Sequence, residues 1–124
     1  MAKIKEFTDL IVWQKGHELV LTTYQLTKKF PSDEKFALNS QMRRASVSIT
    51  SNVAEGFGRR GAKDKEHFYV MASGSITELQ NQFIIARDLT YMTDEEYTKV
   101  NILLKDVKLL LNALLKTHRS NFKS

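Results

Sequence analysis

The sequence predicts an all-α protein, an antiparallel up-down-up-down four-helix bundle, and three observations carry that prediction. Apolar residues recur at three- and four-residue spacing along four long stretches, the period of a helix with one buried face. Only 5 glycines and 1 proline punctuate 124 residues, too few turns for a many-stranded β fold. The breaks that do occur, near Pro31, Gly58–Gly61 and Thr93, divide the chain into four long segments with short connections, which fold most simply as neighbours running in alternate directions. A chain of this length is expected to form one domain over residues 1–124.

The first helix is predicted over about residues 9–30, with Asp9 as its cap and Pro31 as its stop. Val12, Gly16, Leu19, Thr23, Leu26 and Phe30 form one apolar or small stripe, and Trp13, Val20, Tyr24 and Thr27 a second. Together they are wider than a single core seam needs. After the turn Pro31–Glu34, a second helix is predicted over about 39–57, with Leu38, Met42, Ala45, Ile49 and Val53 facing the core. Gly58 and Gly61 end it. The third helix, about 64–91, buries Phe68, Ala72, Ile76, Leu79, Phe83 and Ala86. The fourth, about 94–117, opens on Thr93-Asp94-Glu95-Glu96, a capping box in which Thr93 and Glu96 bond each other's backbone N–H. Its stripe is Tyr97, Val100, Leu104, Val107, Leu111 and Leu114, and the polar tail from His118 is expected to fray.

The second helix lacks an ordinary solvent face. No charged residue lies between Ala45 and Ala54. Its flank carries Arg43, Val47, Thr50, Ala54 and Phe57, a set that self-association would cover. A polar stripe, Gln41, Arg44, Ser48, Asn52 and Glu55, matches in height Gly74, Ser75, Glu78 and Gln82 of the third helix, if the two are antiparallel about residue 60. This predicts a seam in which small residues permit close approach and Arg44 pairs with Glu78.

Several chemistries are excluded. With no cysteine there is no disulfide, thiolate nucleophile or Cys-based metal site, and an intracellular, cytoplasmic protein is expected. No apolar run approaches the roughly 18 residues of a membrane span, and no apolar segment like that of a leader follows Lys3 and Lys5. His17, His67 and His118 have no helical zinc spacing, and no Glu-x-x-His motif of a di-iron bundle occurs. Gly56-x-Gly58-x-x-Gly61 matches a dinucleotide fingerprint in letters but lies at a helix end rather than after a strand, so it reads as helix termination. His17, near Trp13 and Tyr24, reads as a packed helix residue. The expectation is a binding protein, not an enzyme, with no cofactor.

Charge supplies the positive signal. The chain carries a formal net charge of +5. Bundle topology would gather Lys3, Lys5, Arg59, Arg60, Lys63, Lys65, Lys116, Arg119 and Lys123 at one end, against Glu6, Asp9, Glu55, Asp64 and Glu66. A polarised basic end favours phosphate backbones. Arg59, Arg60, Lys63, Lys65, Lys116 and Arg119 are the candidate nucleic-acid-binding residues. Phe57 is the one aromatic near that loop, so base stacking is weakly supported there.

The block Gln41-Met42-Arg43-Arg44-Ala45-Ser46-Val47-Ser48-Ile49, continuing through Ser51-Asn52-Val53-Ala54-Glu55-Gly56, resembles the signature of the four-helix-bundle proteins encoded in intervening sequences of bacterial 23S rRNA genes. Leu10 with Trp13, Phe30-Pro31 and the run Ala72–Leu79 resemble that family's other blocks, so the likeness spans about Phe7 to Leu115. The family is also similar to the accessory variability protein of diversity-generating retroelements. The resemblance implies a ring-like homopentamer and a role in binding RNA or DNA, or a protein such as a reverse transcriptase. The sequence departs at Thr50, where many members carry proline, so a kink in the second helix is not implied. Two functions remain open: a sequence-tolerant nucleic-acid binder, and a protein-interaction scaffold using the charge-poor face of the second helix.

Overall fold

In the computed structural model, which describes residues 3–121, four helices follow one another: α1 (Ile11–Thr27), α2 (Leu38–Gly58), α3 (Ala62–Asp88) and α4 (Asp94–Asn121). Cross-helix contacts fix their directions. Thr27 of α1 meets Asn39 and Arg43 at the start of α2. Ser48 of α2 meets Ser75 of α3, while Lys65 reaches back to Gly56. His118, near the end of α4, meets Ala62 at the start of α3. Lys29, just after α1, pairs with Glu96 in the first turn of α4. Each helix thus runs antiparallel to the next, and α1 closes the bundle against α4.

The stripes read from periodicity form the core. Leu19, Met42, Ile49, Val53, Leu79, Phe83, Leu104 and Val107 are fully buried. The side chains of Thr23 and Thr27 are buried on α1 because their hydroxyls bond backbone carbonyls one turn earlier, Leu19 O and Thr23 O. The box at α4 is present: Glu96 N donates to Thr93 Oγ1 (3.1 Å) and Thr93 N to Glu96 Oε1 (2.9 Å).

Four boundaries differ from expectation. Asp9 does not cap α1. It closes a short 3-10 turn, Phe7–Asp9, by accepting the N–H groups of Lys5 and Glu6, which hold its carboxyl below its ordinary pKa. α1 stops at Thr27 rather than near Phe30, because Lys29 and Phe30 bond three residues back as the chain tightens before Pro31. α3 stops at Asp88, where Thr90 adopts φ 61° and Tyr91 N bonds Ala86 O. The tail expected to fray from His118 is helical to Asn121, with His118 buried and its Nε2 2.8 Å from Ala62 O.

Two buried positions shift by one residue. Tyr69, not Phe68, fills the core of α3 beside Gly56, and Leu115, not Leu114, is the last buried leucine of α4. Gly56 makes room for the first of these. A Cβ there would fall 2.6 Å from the Tyr69 ring.

Candidate nucleic-acid interface

The loop between α2 and α3 and the end of α4 do share one end of the bundle. The six predicted cations there are not equivalent. Lys65 is a structural cap. Its Nζ donates to Phe57 O (2.6 Å) and Gly56 O (3.1 Å) in the last turn of α2, the second of which also accepts the Arg59 N–H (3.3 Å), and burial pulls its pKa below the ordinary lysine value. Arg59 pairs with Glu55 (3.2 Å) and lies over the Phe68 ring (4.7 Å to the centroid). Arg119 pairs with Glu66 across α3 and α4. Arg60, Lys63 and Lys116 are exposed and unpaired among the described residues. Lys65 is therefore engaged by the fold, Arg59 and Arg119 are partly neutralised, and Arg60, Lys63 and Lys116 stand free among the described residues. Lys123 lies outside the described residues.

The predicted polar seam forms only at its middle. Ser48 Oγ and Ser75 Oγ are 2.8 Å apart, and Asn52 Nδ2 donates to Ser48 Oγ (3.0 Å) and Ser48 O (2.8 Å). Gln41, Arg44, Glu55 and Glu78 are exposed. The Arg44–Glu78 pair is not formed. Both residues line one cleft with Gln41, but Glu78 instead accepts from Gln82 Nε2 one turn along α3. Gly74 takes no part in close packing, for a Cβ added there meets nothing within 4 Å.

The predicted association face is covered by the chain itself at Thr50 and in part at Arg43. Thr50 is 9% exposed and its methyl lies 3.0 Å from where a Cβ on Gly16 would sit, so α1 covers it. α2 continues unbroken through this position. Arg43 donates to Thr27 Oγ1 (2.9 Å) and stacks over Tyr24 (4.6 Å). At these two positions the α1–α2 contact accounts for part of the uncharged flank. Val47 stays 38% exposed, and Ala54 and Phe57 are half-buried. His17, expected to pack within its helix, is exposed but stacked on Trp13 (4.9 Å).

One arrangement escaped the sequence reading. A groove of about 610 Å³ crosses the outer face of α2 and is lined by Tyr24, Lys35, Phe36, Ser40, Arg43, Arg44, Val47 and Ser48. It has three cations, two aromatic rings and no carboxylate. Phe36 is 89% exposed, the most exposed of the large apolar side chains among the described residues. It belongs to no helical stripe, so periodicity passes over it. The usable signal is Lys35-Phe36, a cation beside an aromatic at a helix entrance.

Among the described residues no helix is long and apolar enough to cross a membrane. Comparison with curated proteins finds no match. Among solved structures, the chain is similar to a protein of unknown function from the S23 ribosomal protein family of Bacteroides thetaiotaomicron. The TM-score is 0.79 at 22% identity over 86% of this chain and 96% of that one, a likeness of fold. Residues 8–113 match the family model described as 23S rRNA-intervening sequence protein. That match covers most of the four helices, and the chain belongs to the 23S rRNA-intervening sequence protein family.

Proposed function

We propose that this protein is a non-enzymatic, self-associating binder of nucleic acid that grips phosphate backbones with little regard to sequence. The observation that carries the reading is the set of exposed, unpaired cations at one end, Arg60, Lys63 and Lys116, on elements that the His118–Ala62 contact holds together. Lysine and arginine on such a surface bind phosphate as charges and read no base. Self-association multiplies a few weak contacts per subunit. Apolar surface for it remains at Ile102 (57% exposed) and Leu109 (67%), two turns apart on one side of α4. A ring of five is the assembly the family resemblance implies, and the cytoplasm is the compartment that suits a cysteine-free chain.

The test is a titration of labelled RNA and DNA duplexes at about 50 and 200 mM salt, beside sedimentation of the free protein. Binding that weakens steeply with salt, with a mass above 14.3 kDa, supports the reading. Absence of binding at the lower salt favours a protein-interaction scaffold, for which a reverse transcriptase is the partner to try first. A clean monomer removes the multivalent part.

A further inference from the structure

We infer that the groove across the outer face of α2 binds single-stranded nucleic acid, stacking a base on Phe36 while Lys35 and Arg44 hold the flanking phosphates. This rests on the nucleic-acid reading and adds to it a strand preference and a second site.

Three observations carry the inference. The first is the exposure of Phe36. A phenyl ring left 89% in water gives up burial that would otherwise stabilise the fold, and it is held at the rim of a groove rather than on a featureless surface. Every nucleobase offers a π face, so an exposed ring beside cations suits an unpaired base of any identity. A duplex keeps its bases stacked internally and cannot use such a ring. The second is charge. Lys35, Arg43 and Arg44 line the groove with no carboxylate, and Arg44 is unpaired among the described residues. The groove therefore favours an anion, and its volume falls within the range of small-molecule sites. The third is preorganisation. Arg43 is fixed by Thr27 Oγ1 and by the Tyr24 ring, so one wall is already ordered and costs little entropy on binding. The hydroxyl of Ser40 on the same surface can bond a sugar or phosphate.

The groove is separate from the loop cations. It opens from the first half of α2, whereas the loop lies beyond that helix's C-terminus. It is also diagonally across the bundle from α4, because α2 packs on α1 and α3 while α4 packs on the same two helices from the other side. Self-association through Ile102 and Leu109 would leave it open.

The experiment is fluorescence anisotropy with labelled oligothymidine and oligouridine of about 12 nucleotides and a duplex of equal length, using the full chain and three variants. Phe36→Ala is expected to weaken single-strand binding by roughly 10-fold or more, the scale of one lost base stack, and to leave duplex binding unchanged. Phe36→Trp should keep single-strand affinity, with its added emission quenched by the oligonucleotide. Arg60→Glu with Lys63→Glu and Lys116→Glu should remove duplex binding. If single strands bind, duplexes do not, and Phe36→Ala removes the single-strand binding, the groove stands and the loop reading falls. If Phe36→Ala changes neither affinity while the charge reversal abolishes both, the loop reading stands and the groove is overturned. Phe36→Ala that lowers the mass in light scattering, with single-strand affinity intact, also overturns it, because the groove is then a contact between copies of the chain. Since Phe36 is so exposed, its variants are expected to fold, which an unchanged helical circular dichroism spectrum checks.

Discussion

The loop joining α2 to α3 and the groove across the face of α2 are both rich in cations, yet they use them differently. At the loop, Lys65 closes the end of a helix, and Arg59 and Arg119 each neutralise a glutamate. In the groove, Arg43 is the one cation bonded to the fold, and Arg44 faces water with no partner. The loop holds more charge in the sequence and spends more of it on holding the bundle together. Counting lysines and arginines measures the field a surface casts at long range. Only the partners show how many can still turn to a phosphate.

The sharpest way to break that comparison is to reverse the free loop cations. Arg60→Glu, Lys63→Glu and Lys116→Glu together should lower duplex affinity by about 100-fold or more at about 50 mM salt, with the unfolding midpoint nearly unmoved, since none of the three bonds to the fold. A variant that unfolds, or binds as before, would show that the division between held and free cations is drawn in the wrong place. Next in size is the converse substitution. Lys65→Met should cost about 2 kcal/mol in urea unfolding, because two helix-end carbonyls lose a charged donor, whereas Lys63→Met should stay within about 0.5 kcal/mol. Equal effects at the two lysines would refute the cap.

A smaller contrast separates neighbours in the groove. Arg43→Ala loses a hydrogen bond to a buried threonine and a stacked tyrosine, and should destabilise by about 1–2 kcal/mol. Arg44→Ala, one residue along, should change stability by less than about 0.5 kcal/mol, because its side chain is exposed and unpaired. Thermal unfolding of the two variants side by side decides it. A large loss at Arg44 would mean that the predicted pair with Glu78 forms in solution after all.

Why the sequence shows the core so well and the site so poorly follows from what periodicity records. Leu19, Ile49, Ile76 and Leu104 announce themselves because burial repeats with the helical period. The shift from Phe68 to Tyr69 was hidden because both are aromatic, and the deciding feature is the missing side chain of Gly56, on a different helix. Lys65 could not be recognised as a cap, since any cation within reach of a helix end can take its carbonyls. The charge-free flank of α2 was legible as covered but not as covered by α1, because an apolar face carries no record of whether its partner is the same chain or another copy. Asp9 has the sequence setting of a cap for the long helix because the motif looks the same whichever element it closes. Phe36 has no periodic companion, and an exposed ring is visible only once its neighbours are placed.

The faintest contrast lies at the end of the bundle away from the loop, where Lys29 and Glu96 are paired across α1 and α4. The Lys29 ammonium, and then the Thr93 N–H, hold the Glu96 carboxyl below the ordinary glutamate value of 4.5. Because the folded-state pKa is the lower one, the contribution to stability is complete above the unfolded value and disappears as pH falls through the folded value. The pair is partly solvated, with 61% of the Lys29 side chain exposed, so its worth is below about 1 kcal/mol. Glu96→Gln keeps an amide that can serve the capping box and removes only the charge. Its unfolding free energy should therefore fall slightly short of the native protein's at pH 7 and converge on it as the pH falls below the folded-state value. If the gap persists at low pH, the effect comes from the cap and not the ion pair. A gap of several kcal/mol at pH 7 would make this end, and not the loop, the place where charge holds the bundle together.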